Sequence, residues 1–199
     1  MRIGIEINGV LRNTIGKLEM TYKKYLIDKT DGIEDTDTFK YEMNLPVTSL
    51  DLKKHFKFQN DEEFFSFLYE EFPMEIFGHA GSTETMTFND FNEFYVENRN
   101  EHDIVVISDE IGKSKPASLF FLSKFGCLVE KVKFYSNTTI NSMWDEIDIL
   151  LTSNPALILE HPNNKIIIKY LTDYNKDINC EHEITSLKEL NNKLKQINN

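Results

Sequence analysis

The stretch "MRIGIEINGVLRN", Met1 to Asn13, decides the fold that we expect for this chain. Its apolar run ends at Asn8-Gly9, a pattern typical of a short buried strand that enters a tight turn. From Ile15 to Leu26, apolar residues then recur at helical spacing, with lysine and glutamate between them. The chain therefore begins as a strand, a turn and an amphipathic helix.

Further segments have the pattern of buried strands that alternate with helices. "DIVVIS", residues 103–108, is a continuous apolar run typical of a parallel strand that is covered on both faces. The other predicted strands lie at residues 131–136, 147–155 and 163–171, the last as an edge strand. A helix over residues 116–125 and a last helix capped by Ser186 are also predicted. Because strands and helices alternate, we expect an α/β fold with a Rossmann-like parallel sheet flanked by helices.

The long segment between the first two strands predicts an insertion. Residues 15–100 have mainly helical patterns, and they contain many of the 15 phenylalanines of the chain. We therefore assign residues 1–14 and 101–199 to the α/β core and residues 15–100 to a mainly helical cap.

Charge and hydropathy exclude several classes of function. The chain has 199 residues and a formal net charge of -11, which argues against binding to nucleic acid or to anionic lipid. No apolar run approaches the roughly 20 residues that a membrane span needs. The residues that follow Met1 do not have the basic and then apolar pattern of a signal peptide. We expect a cytoplasmic protein.

Polar residues follow the apolar runs at three predicted strand ends. They are Glu6 to Gly9, Ser108-Asp109 and Thr152 to Pro155. Ligands of open α/β sheets bind beyond the carboxyl ends of the strands, so we expect these residues to converge.

These motifs resemble those of the haloacid dehalogenase (HAD) superfamily of phosphohydrolases, in its deoxynucleotidase-like branch. "IEINGVLRNT" resembles the first motif, Asp-x-Asp-Gly after the first strand, and "VVIS" resembles the second, whose Ser or Thr holds phosphate. "DILLTSNP" is similar to the fourth motif, in which an acidic pair helps to hold magnesium. The tail from "KYLTDYNKDI" onward is also similar to that branch, so that the resemblance covers nearly the whole chain. It implies an α/β core, a cap after the first motif, and an ancestral phosphatase site.

The chain departs from the family at almost every catalytic position. Glu6 stands for the aspartate nucleophile and Asn8 for the acid/base, while Thr152 and Ser153 stand for the metal-binding pair. No lysine occurs between residues 137 and 143, where the family spacing would place one. Only Ser108 is retained from the family's set.

Each departure has a physical cost. Glutamate is one methylene longer than aspartate, and an error of about 1 Å in position can cost about a hundredfold in rate. An amide cannot deliver and retrieve a proton, which removes a further ~10²-fold to 10⁴-fold. Magnesium prefers charged oxygens, whereas Thr152 and Ser153 offer neutral hydroxyls. We therefore expect neither catalytic residues nor a metal site.

Other interpretations of the same residues remain open. Glu6 could pair with Lys115 or accept hydrogen bonds from turn amides, and Gly9 with Ser108 could form a residual phosphate site. An acidic cluster at Asp145, Glu146 and Asp148 is a weaker metal candidate, because strand alternation points Asp148 away from the strand end.

The favoured function is that of a catalytically inactive HAD-like protein that serves as a structural or protein-interaction subunit. Partner contacts are predicted through Phe64, Phe65, Phe91, Phe94 or the C-terminal helix, with packing inside the protein as the alternative for the same side chains. The Asn-, Lys- and Ile-rich composition suggests an AT-rich genome and, with the resemblance, a component of a phage particle. The alternatives are a 5'-deoxynucleotidase-like phosphomonoesterase, which would need Mg²⁺, and a sensor that binds a phosphate ligand without hydrolysis.

Overall fold

The computed structural model describes residues 1–29, 47–50, 52–136 and 138–198. Its centre is a six-stranded sheet in which every neighbouring pair is parallel. The strands are β1 (Arg2–Glu6), β2 (Asp103–Ser108), β3 (Val132–Phe134), β4 (Ile149–Thr152), β5 (Ile166–Tyr170) and β6 (His182–Ile184). Their order across the sheet is β3-β2-β1-β4-β5-β6, which places β1 and β4 at the centre.

Helices connect these strands and cover both faces of the sheet. They are α1 (Thr14–Lys29), α2 (Leu52–His55), α3 (Asp61–Ser66), α4 (Thr87–Asn98), α5 (Ser114–Lys124), α6 (Ile140–Glu146), α7 (Pro155–Leu159) and α8 (Leu190–Ile197). Two π-helical turns, Phe67–Glu71 and Met74–Gly78, follow α3, and a 3₁₀ turn at Leu187–Glu189 precedes α8. The predicted α/β class, a parallel sheet flanked by helices, is confirmed.

The two faces of the sheet have separate apolar cores. One face packs against α4 and α8, which bury Phe91, Phe94 and Leu190 there. The other face packs against α6 and α7 through Trp144 and Leu157. A strand that is covered on both faces needs an unbroken apolar run, which explains why β2 was recognisable at its exact bounds.

One strand prediction was wrong in its place within the sheet. The segment around β5 was expected at the edge, but β5 pairs with β4 on one side and with β6 on the other. β6 has only three residues, His182 to Ile184, and two of them are polar, so the sequence contains no apolar run to indicate it.

A third apolar cluster holds the inserted helices together. It contains Leu18 and Tyr22 from α1 together with Phe56, Phe64 and Phe67. Part of the predicted insertion, residues 30–46, lies outside the described residues. The helix α4, at the end of the insertion, packs on the sheet rather than in this cluster, which favours an insertion that ends before Thr87. The division of the chain into domains stays a prediction.

Most of the side chains proposed for partner contacts are buried. Phe64, Phe91 and Phe94 are at most 8% exposed, and α8 buries Leu190 and Leu194 against the sheet core. The aromatic and leucine side chains that looked surplus in the sequence fill the cores, so these contacts are corrected to internal packing. Phe65 differs, since half of its side-chain surface is exposed.

Within the described part of the chain, no helix is both long enough and apolar enough to cross a bilayer.

The packing of α4 is testable through a matched pair of phenylalanines. Phe94→Ala should lower the free energy of unfolding by about 3–5 kcal/mol, because it empties a site in the sheet core. Phe65→Ala, at an exposed position, should change it by less than about 1 kcal/mol. Urea denaturation measures both values, and similar losses for the two variants would contradict this assignment of core and surface.

Candidate functional site

The structure brings the five predicted site residues together at the carboxyl edge of the sheet. Glu6 contacts Thr152, Asn8 lies 3.3 Å from the Ser108 hydroxyl, and Ser153 Oγ donates to the Asn8 carbonyl over 3.2 Å. The parallel register explains this convergence, since β1 lies between β2 and β4.

Glu6 is enclosed by hydroxyl groups rather than by cations. Its side chain is 1% exposed; Oε1 accepts a hydrogen bond from Tyr135 Oη over 3.1 Å, and Oε2 accepts one from Thr152 Oγ1. Burial, with a contribution from the nearby Asp109 carboxylate, raises the pKa of Glu6 to about 8. The carboxyl group is therefore mainly protonated at neutral pH. The proposed partner Lys115 instead places its ammonium 5.6 Å from the centre of the Phe134 ring.

Asn8 uses both ends of its amide within the protein. Its Oδ1 accepts hydrogen bonds from Arg12 Nη2 and Thr14 Oγ1, each at 2.6 Å. Its Nδ2 lies within hydrogen-bond distance of three acceptors: Ser108 Oγ, Asp109 Oδ1 and Glu110 Oε1. An amide is neither an acid nor a base near neutral pH, and one that is held in this way orients the side chains around it.

Arg12, at the end of the opening stretch, is completely buried in this site. Each of its five N–H groups has an acceptor: Thr14 Oγ1, the Phe77 carbonyl, Ser118 Oγ, Asn8 Oδ1 and Glu110 Oε1. The guanidinium carbon also lies 5.0 Å from the centre of the Phe77 ring. The residue thus joins the turn after β1 to the inserted helices and to α5.

Gly9 is closed off by neighbouring side chains. Its φ of 72° lies in the left-handed region, and a Cβ there would collide with the hydroxyls of Ser153 and Tyr174. Its N–H donates to the Arg12 carbonyl over 2.9 Å. Ser108 is fully buried as well. The residual phosphate site at Gly9 and Ser108 stays a prediction, and this geometry weighs against it.

The residues at the family's magnesium position do not fit the ion. Mg²⁺ needs ionised carboxylates that point into an open site. Here Glu6 directs both oxygens to hydroxyl groups inside the protein, and Thr152 Oγ1 also accepts the Asn154 N–H over 2.9 Å. Among the described residues, no three His, Cys, Asp or Glu side chains are grouped so as to hold a metal ion. Asp148 of the weaker acidic candidate pairs with Arg2 instead.

Several important residues of the site were missed from the sequence. Arg12 and Glu110 form a buried ion pair, and Tyr135 holds Glu6. An arginine directly after the apolar pair Val10-Leu11 was a signal for the first of these. Tyr135 lies inside the predicted strand 131–136 and directly follows the observed strand β3, but a tyrosine at that position has no counterpart in the family motifs described above.

The ion pair can be tested through its dependence on both partners. Arg12→Met should lower the free energy of unfolding by about 3–5 kcal/mol, because the Glu110 carboxylate stays buried without a cation. The double variant Arg12→Met/Glu110→Leu removes the uncompensated charge and should recover much of that loss. Chemical denaturation measures both variants, and equal losses would show that the charge of Glu110 is not the cause.

Glu6 should make stability depend on pH. The folded state holds the Glu6 proton up to pH 8, while the unfolded state releases it near pH 4.5, so stability falls as pH rises between these values. A shift of this size corresponds to roughly 4–5 kcal/mol. Glu6→Gln should not lose stability as pH rises over this range, because the glutamine side chain resembles the protonated acid and does not ionise. Denaturation from pH 5 to pH 8 measures the difference, and Glu181→Gln, at an exposed carboxylate, is the control. Parallel profiles for the wild type and Glu6→Gln would contradict the raised pKa.

Comparisons with known proteins bear on the fold. No protein-family model and no curated protein matches the sequence. Among solved structures, the chain is similar to a haloacid dehalogenase-like family hydrolase from Streptococcus pneumoniae, with a TM-score of 0.59 and 9% identity over 97% of both chains. A structure described as a haloacid dehalogenase-like hydrolase from Burkholderia xenovorans LB400 has a TM-score of 0.58 and 8% identity, and the match covers 94% of this chain and 93% of that one. At such identities the likeness shows the fold alone: the chain has the α/β fold of haloacid dehalogenase-like hydrolases.

Proposed function

We propose that this HAD-fold protein does not catalyse phosphoryl transfer and acts as a protein-interaction or structural subunit of a larger assembly. The observation that carries the first half is the state of Glu6, whose two oxygens accept hydrogen bonds from Tyr135 and Thr152 inside the protein. A nucleophile needs an ionised oxygen that is directed at the substrate. Glu6 offers neither property at neutral pH.

The surroundings of Glu6 support the same conclusion. Asn8, at the acid/base position, cannot take up or release a proton, and its carbonyl oxygen is occupied by Arg12 and Thr14. Arg12 supplies a cation to the site, but all five of its N–H groups already donate to acceptors within the protein. No donor of Arg12 is left to stabilise the charge that develops on a transferring phosphoryl group.

The second half of the proposal rests on the retained scaffold and on composition. The α/β fold is retained although the residues at the family's catalytic positions are replaced. This is expected of a protein that functions through its surface rather than through its cleft. Large apolar side chains stand on that surface, with Phe65, Leu128 and Leu159 each at least half exposed. The Asn-, Lys- and Ile-rich composition suggests an AT-rich genome. Together with the resemblance to the deoxynucleotidase-like branch, it favours a phage particle as the assembly.

A phosphatase assay tests the catalytic half. With Mg²⁺ and a panel of 5'-deoxynucleotides, the wild type should release no more phosphate than Glu6→Gln, because the combined losses of nucleophile geometry and proton transfer amount to roughly 10⁴-fold or more. Release by the wild type that Glu6→Gln abolishes would overturn the proposal in favour of the phosphomonoesterase. Stabilisation of the protein by nucleotides without turnover would favour the phosphate sensor.

Affinity purification of the tagged protein from its native setting tests the other half. Co-purification in a fixed ratio with larger proteins is the expected result. Recovery of the chain alone would contradict the role as a subunit.

A further inference from the structure

A small recess lies between the inserted helices and the carboxyl edge of the sheet. Its volume is about 130 Å³, and Glu6, Asn8 and Asp109 line it on the side of the sheet. Leu18, Leu68 and Phe77 line it on the side of the inserted helices, where they belong to the apolar cluster that holds those helices together. The recess therefore has an apolar roof and a polar floor.

The recess is suited to a ligand of a few heavy atoms. An engineered apolar cavity of about 150 Å³ stays dry and takes up benzene, so a recess of this size can hold one six-membered ring. It is too small for a nucleoside, because sites for larger ligands measure roughly 300–1,000 Å³. A wider cleft of about 510 Å³ adjoins it, shares Gly9, Thr14, Ile15 and Tyr174 with it, and provides a way in.

The charges around the recess disfavour an anion. No lysine, arginine or histidine occurs among the described residues that line it, whereas the carboxyl group of Asp109 does; Glu6 lines it as a mainly protonated, neutral group. The neighbouring cleft adds three further carboxylates, from Glu19, Glu84 and Asp173, and again no cationic side chain among the described residues. A phosphate or carboxylate group would lose its hydration there without gaining a cation.

Two polar groups in the lining of the recess are available to form hydrogen bonds with a ligand. Asp109 is exposed to solvent; its Oδ1 accepts a hydrogen bond from Asn8 Nδ2 over 2.9 Å, and no other side chain among the described residues donates to its carboxyl group. Tyr69 also lines the recess, and its hydroxyl has no hydrogen-bond partner in the described part of the chain. An acceptor and a hydroxyl beside an apolar roof suit a molecule that carries one hydroxyl group.

We propose that this recess binds a small uncharged molecule of about the size of phenol, with its apolar body against Leu18, Leu68 and Phe77 and its hydroxyl group toward Asp109. The site lies where a HAD-fold hydrolase would take its phosphate substrate, but its chemistry selects against phosphate. The inference goes beyond the proposed function, because it assigns a ligand class to the cleft of a protein that uses its surface for assembly.

Binding of phenol to the full-length protein tests the proposal. Titration followed by calorimetry and by NMR of the methyl groups of Leu18 and Leu68 should show saturable binding with a dissociation constant of about 1 mM or below, a strength that so few atoms can supply. Benzoate, which has a similar ring but a negative charge, should bind at least about tenfold more weakly because no cation receives it. Inorganic phosphate should produce no saturable shift.

A matched pair of variants on α1 locates the site. Ile15 is partly exposed and lines the recess, so Ile15→Phe should fill it and weaken phenol binding by about tenfold or more. Met20→Phe adds the same ring at an exposed position of the same helix and should leave binding within about twofold. Circular dichroism confirms that both variants are folded.

The proposal fails under three outcomes. It is overturned if phenol produces no saturable shift in the wild type. It is also overturned if benzoate or phosphate binds as tightly as phenol. Equal weakening by Ile15→Phe and Met20→Phe would place the phenol site elsewhere. Phosphate release in the phosphatase assay is a separate result, since it bears on the proposed function and not on the affinity for phenol.

Discussion

The buried ion pair between Arg12 and Glu110 is the interaction on which the rest of the site depends. A guanidinium without solvent contact is tolerated only when its donors all have acceptors, and here its five N–H groups reach five oxygens on four parts of the fold. It joins the turn after β1 to α5 through Ser118 and to the inserted helices through Phe77. The edge of the sheet and the cap are thereby held in one arrangement, and Asn8 is held with them.

Glu6, which ends β1, is part of the internal structure of the protein. Complete burial raises the pKa of Glu6, although the hydrogen bonds that it accepts from Tyr135 and Thr152 favour the ionised form and act in the opposite direction. Under the proposed function, the burial and the two hydrogen bonds that make Glu6 part of the structure also leave it unsuited to act as a nucleophile. The recess beside Glu6 has an apolar roof and, among the described residues that line it, no cationic side chain.

Sequence reasoning was most successful where burial leaves a periodic signal. β2 was located to the residue because a strand covered on both faces must be apolar throughout, and the convergence of Glu6, Ser108 and Thr152 followed from the rule for parallel strand ends. It failed for β6, which is short and polar. It left open whether Phe91 and Phe94 pack in a core or contact a partner, because apolar side chains look alike in both places. Burial of that kind depends on which helix packs on which sheet.

The sequence by itself determined the α/β class, the convergence of polar strand ends at the carboxyl edge of the sheet and the residue types that stand there, because each is a property of local pattern or of residue identity. Only the tertiary structure decided that Arg12 pairs with Glu110, that Tyr135 donates to Glu6, and that burial raises the pKa of Glu6. It also decided that the cleft contains a recess with an apolar roof. Arg12 and Glu110 are 98 residues apart, and Glu6 and Tyr135 are 129 apart. Contacts at such separation, and the pKa values they set, arise only when the sheet and the inserted helices close around the same few side chains.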